Sequence, residues 1–363
     1  DLYRKLGGNF QDTCIIFPNK RASLFFTEYL WSNSNGETMW TPEYTSISEL
    51  FASLSDYTTG DSIFLVLKLW EVYREKMQPT KPLDQLYALM ETMLSDFQDI
   101  DNNMVDPSKL FLNIAELKEM TDFSFLEDEQ REAIELFFGK FFTERNANTP
   151  LKSQFKTLWN KMTELYEAYQ AALLDTEEEP MLYEGMLKRK VVEALTGKDE
   201  DARMRVDARL SAKTYVAVGF NVLNKTEMEL FRYIKQNRDA KFYWDYDIAY
   251  TKPFIHNGER GTKRPEGVLS KYEAGQFILE NIRLLGNEFE GQDLFNNMRQ
   301  PKKISFIQSP TENAQTRYIN EWMKVHVGND KPLKESAVIL CNENLLQPVL
   351  YSIGETDTIN VTM

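Results

Sequence analysis

The feature that most limits this chain is a long stretch, from Asp61 to about Leu195, that reads as helix throughout and is flanked on both sides by strand-length apolar runs. On its N-terminal side, Thr13-Cys14-Ile15-Ile16-Phe17 is a continuous apolar run of the kind buried on both faces of a parallel sheet. Pro18-Asn19 breaks that run, and Lys20 to Trp31 carries Leu24, Phe25 and Tyr29 at roughly helical spacing, with Asn19 as its cap. A second extended piece falls near Tyr44-Thr45, and Ser46 or Ser48 starts a short helix toward Leu54.

Within the helical stretch, Asp61 caps Ile63–Lys76, and Leu83–Ile100 places Leu86, Leu89, Met90, Met93, Leu94 and Phe97 at three- and four-residue steps. Further helices are expected over Ser108–Glu119, Glu127–Arg145, Leu151–Leu174 and Met181–Leu195, with acidic Asp175–Glu179 and Pro180 as a solvated hinge. The α/β rhythm then returns. Tyr215–Val218 reads as a strand, Lys225–Gln236 as a helix and Lys241–Trp244 as a strand; Thr251–Gly267 reads as a loop, and Ser270 with Glu273 as a capping box for a helix to about Leu285. Beyond it, strands are expected at Lys303–Ile307, Ala337–Cys341 and Thr358–Val361. Between them lie a helix opened by Ser309, Pro310 and Glu312 and a short one over Asn344–Ser352. Strands and helices alternating at that spacing predict right-handed crossovers and a parallel sheet, which the chain leaves just after its last strand, at Met363.

At 363 residues the chain exceeds the size at which one core usually stops growing, so more than one domain is expected. Two distant cysteines, Cys14 and Cys341, make no disulfide framework and favour a reducing, cytoplasmic setting. No apolar run approaches the roughly 20 residues that span a bilayer, so no membrane role is expected. The net charge of −14, from 56 acids and 42 bases, counts against extended nucleic-acid binding, because neutralising phosphates takes Lys and Arg.

Several segments, taken in order, carry a resemblance. They are Ile16-Phe17-Pro18-Asn19-Lys20-Arg21-Ala22, Leu94-Ser95-Asp96-Phe97-Gln98-Asp99-Ile100-Asp101, Gly219-Phe220-Asn221 with Leu223 and Glu227, Phe242-Tyr243-Trp244-Asp245 with Asp247, and Leu340 to Leu350. Together they resemble the N-terminal half of Bacteroidetes-type AddB (RexB-like) proteins, the helicase-like and nuclease subunits of AddAB double-strand-break repair complexes. The resemblance spans nearly the whole chain, and the order and spacing of the segments carry it rather than any one motif. It implies an α/β fold: a degenerate RecA-like domain of the superfamily-one helicase, P-loop NTPase type, formed by residues 1–60 with 205–300. An all-α insertion would occupy 61–204, and 301–363 would begin a second, truncated RecA-like domain. A PD-(D/E)xK nuclease domain would follow Met363. The implied partners are DNA, held weakly through the parent complex, and an AddA-like helicase–nuclease subunit.

A working phosphate loop reads G-x-x-x-x-G-K-[ST]; its glycines let backbone amides wrap the phosphates. At the corresponding place Pro18, Asn19, Lys20 and Arg21 offer no glycine and one residue without an N–H, so a plain helix start with basic residues is the expectation, though a phosphate can still touch that terminus. Gly197-Lys198 is no substitute, with Val192 where the first glycine belongs and Asp199 after the Lys. Val218 ends the strand at which some relatives would place a Mg²⁺-binding Asp, and Glu227 is expected to cap its helix or face solvent. The fragment is therefore expected to be non-catalytic, with no cofactor and no metal site. Asp245 with Asp247 reads as a polar strand terminus; Glu116-Leu117-Lys118 lies in a predicted helix, and His256 and His326 lack metal-ligand neighbours. Candidate DNA contacts are Lys188, Arg189, Lys190, Arg260, Lys263 and Arg264, beside the lesser clusters of Arg203, Arg205 and Arg209 and of Lys252; Tyr183 and Trp244 are aromatics able to stack on bases. The alternatives are a divergent ATPase using Lys20 or Arg21, and an acidic protein-interaction module without a nucleic-acid role.

Overall fold

The computed structural model describes residues 2–6, 9–34, 36–110, 150–176, 179–251, 272–289, 295–326, 336–353 and 361. The expected helix at Glu127–Arg145, the end of that at Ser108–Glu119, the strand at Thr358–Val361 but for its last residue, and the capping Ser270 lie outside these residues. The chain divides into two compact units, Asp1–Met298 and Arg299–Met363.

The first unit is built on a four-stranded sheet. Its strands are β1 (Thr13–Phe17), β2 (Glu43–Ser46), β5 (Thr214–Val218) and β6 (Asp239–Tyr243), in the order β2-β1-β5-β6 and all parallel. A small parallel pair, β3 (Thr58–Thr59) with β4 (Met181–Leu182), stands apart from it. The helices in chain order are α1 (Leu2–Leu6), α2 (Arg21–Asn33), α3 (Ile47–Leu54), α4 (Ser62–Met77), α5 (Leu83–Asn102), α6 (Pro150–Leu174), α7 (Glu184–Thr196), α8 (Glu200–Asp207), α9 (Lys225–Asn237) and α10 (Glu273–Leu285).

The two faces of the sheet are both apolar, as a strand of unbroken hydrophobes requires. Ile15, Phe17, Val216 and Tyr243 pack with Leu30 and Phe26 of α2 and with Leu2 of α1. Cys14, Ile16, Tyr215, Ala217 and Phe242 face the other way, into a larger core that includes Phe231 and Ile234 of α9 and runs on through the helical insertion. Thus the β1–α2–β2 and β5–α9–β6 crossovers lie on opposite faces and step outward in opposite directions from the β1/β5 pair. That pair is a topological switch point, where open α/β sheets bind ligands beyond the carboxyl ends of their strands.

Helix α7 ties the insertion to the sheet domain, packing against α3, α5, α8 and α9. At Gly185 it comes so near α5 that a Cβ would lie 2.6 Å from the carbonyl oxygen of Gln98. A helix is expected from Met181; the chain instead pairs Met181-Leu182 with β3 and turns helical only at Glu184. Helix α10 opens after Tyr272, which provides no side-chain cap.

In the second unit, α11 (Glu312–His326) and α12 (Leu346–Ile353) pack on one another, and Asn342 Nδ2 reaches Glu312 Oε1 at 3.3 Å. The strands expected at Lys303–Ile307 and Ala337–Cys341 are not formed. A strand exists only where a neighbour takes its N–H and C=O groups, and these segments have no ladder among the described residues; Phe306 is 95% and Ile339 88% exposed.

Candidate functional site

The switch point is framed by the turns that follow β1 and β5. After Phe17, Pro18 contributes no N–H, and Asn19 Oδ1 accepts the Ala22 N–H at 3.2 Å, capping α2 as its position predicts. The Lys20 carbonyl accepts both the N–H and the hydroxyl of Ser23. After Val218 the chain turns at Gly219 with φ +81°, a left-handed conformation that favours glycine; a Cβ there would lie 3.9 Å from Pro18 Cδ.

Lys20 is paired with a carboxylate while its side chain stays largely exposed. Its Nζ lies 2.5 Å from Glu49 Oε1. Glu49 also completes a capping box at the start of α3, accepting the Ser46 N–H while the Ser46 hydroxyl oxygen accepts the Glu49 N–H. The Lys20 hydrogen bond, then the Ser46 groups, hold the Glu49 carboxyl below its usual range. A cavity of about 530 Å³ lies at these residues, with Arg21, Ser23 and Tyr44 also on its wall. Its polar lining carries both charges of an ion pair, so an incoming polyanion would have to displace Glu49. With no glycine wrap and a proline in the turn, these residues lack the backbone cradle of a working phosphate loop.

On the β5 side, Asn224 and Glu227 form a second capping box at the start of α9, which is the capping role expected of Glu227. Glu227 also pairs with Lys188 at 3.2 Å, and Lys188 pairs in turn with Glu184 at 2.9 Å. Glu184 accepts the Ser48 hydroxyl from α3 at 2.5 Å. Burial raises the Glu184 carboxyl, but the Ser48 and Lys188 hydrogen bonds outweigh it and leave it lowered. Polar links thus run from α3 through α7 to α9.

This placement removes Lys188 from the expected DNA contacts: its side chain is 7% exposed and lies over the Phe51 ring at 5.6 Å. Arg189 is also engaged, with Asp101 at 3.2 Å, Glu193 at 2.8 Å and the Val105 carbonyl at 2.9 Å. Lys190 is half-buried on the same helix. Arg203 pairs with Glu200, and Arg209 with Asp56 and the Leu54 carbonyl. Lys252, Arg260, Lys263 and Arg264 lie outside the described residues, as do His256 and Glu116-Leu117-Lys118. The two candidate stacking rings are not available: Tyr183 is 0% and Trp244 1% exposed, and Trp244 Nε1 donates to the Gly286 carbonyl. Asp245 and Asp247 fall beyond β6, where Asp247 accepts the N–H groups of Ala249 and Met298 and closes a turn. Among the described residues no group of three or more His, Cys, Asp and Glu is placed to hold a metal, and no helix is long and apolar enough to cross a membrane.

One polar centre escaped the sequence reading. Asp101 is 0% exposed and accepts from Tyr166 at 2.5 Å, from Tyr183, from Gln170 at 3.1 Å and from Arg189. It joins α5, α6, α7 and the segment leading into α7. Burial, followed by the adjacent carboxylate, raises both tyrosine hydroxyls, so they remain neutral donors. A signal was present: Asp101 falls four residues after Phe97, on the buried stripe of α5.

No protein-family model and no curated protein matches the chain.

Proposed function

We propose that this chain is an ATPase-inactive, helicase-like scaffold of a DNA-repair helicase–nuclease, a degenerate RecA-like domain that positions DNA beside an active motor subunit. The observation that carries the reading is the β1–α2 turn. It stands at the switch point of a parallel sheet, where a motor protein would seat its phosphates, and it holds Pro18 and a Lys20–Glu49 ion pair instead. The helical insertion between β2 and β5 supports the same layout. The test is thermal unfolding with and without Mg²⁺–ATP, together with anisotropy of a labelled single-stranded oligonucleotide. No nucleotide shift is expected, and DNA binding is expected to be weak and to fall steeply with salt. Stabilisation by ATP of more than about 1 kcal/mol that disappears in Lys20→Ala would instead support a divergent nucleotide-binding motor domain.

A second reading, an acidic protein-interaction module, is favoured by the engagement of Lys188 and Arg189 in internal ion pairs. It predicts no oligonucleotide binding even at low salt.

A further inference from the structure

We draw no further inference here: the strongest candidate, the apolar cavity of about 210 Å³ between α1, α2 and the ends of β5 and β6, lined by Leu2, Phe26, Leu30, Val218 and Phe289, opens at the exposed Tyr29, and nothing in the structure shows what covers it.

Discussion

At the scale of single residues, the chain spends its charges internally. Asp101 shows the energetic logic: a fully buried carboxylate is tolerable only when donors surround it, and here two hydroxyls, an amide and a guanidinium do so. Asp101→Asn keeps the shape of the side chain and replaces an acceptor oxygen with a donor that faces other donors. The substitution is expected to cost about 3–5 kcal/mol in urea denaturation, the range for breaking a buried ion pair. A change within about 0.5 kcal/mol would show that water, not Asp101, satisfies these groups. Much of this chemistry was open to a reader of the sequence in part only. The stripe through Met90, Met93 and Phe97 marks Asp101 as buried, but its donors lie 65 to 88 positions along the chain, and nothing local announces a pairing at that separation. Lys188 shows the opposite failure. Beside Arg189 and Lys190 it looks like a solvated basic cluster; Glu184 lies one turn before it, within reach of a reader of the sequence, but only the packing of α7 against α3 and α9 reveals that Glu227 closes over it.

Elements with strong internal signals were legible, and those defined by pairing were not. The apolar run of β1, the start of α3 at Ser46, the Glu227 cap of α9 and the Asp61 cap of α4 depend on residues a few positions apart, which a sequence displays. The β3–β4 pair joins two-residue segments more than a hundred positions apart, too short for any periodicity. Likewise, Lys303–Ile307 has the composition of a strand without forming a ladder. Helix α7 illustrates why composition alone misleads about stability. Ala is the better helix former, so Gly185→Ala would stabilise an isolated helix by up to about 1 kcal/mol. In the folded protein the new methyl would meet the Gln98 carbonyl oxygen at 2.6 Å, and backbone cannot yield as a flexible side chain does. We expect Gly185→Ala to destabilise by about 1–3 kcal/mol in chemical denaturation. Stabilisation would mean that α5 and α7 separate easily, and that the Asp101 centre spanning them is looser than its hydrogen bonds imply.

For the whole molecule, the question is which residues the principal fold requires. Both hydrophobic clusters of the first unit draw their buried members from residues preceding Met298: one runs from Cys14 to Leu285, the other from Leu2 to Tyr243. The outer edge of β6 is met from within the same unit, where the Glu288 N–H donates to the Phe242 carbonyl. The turn beyond β6 is closed by the Met298 N–H on Asp247. Cooperative unfolding follows a shared core, so a chain ending at Met298 is expected to unfold in a single transition. Its midpoint should fall within a few degrees of the first unit's transition in the full chain, because about 1 kcal/mol moves a domain of this size by roughly 2–4 °C. Differential scanning calorimetry separates the outcomes. A retained transition makes Asp1–Met298 the autonomous body that carries the β1–α2 turn, so that nucleotide and DNA binding can be assigned to it directly. A broad or absent transition would mean that the first unit does not fold without the residues after Arg299. The two units would then fold together and not independently.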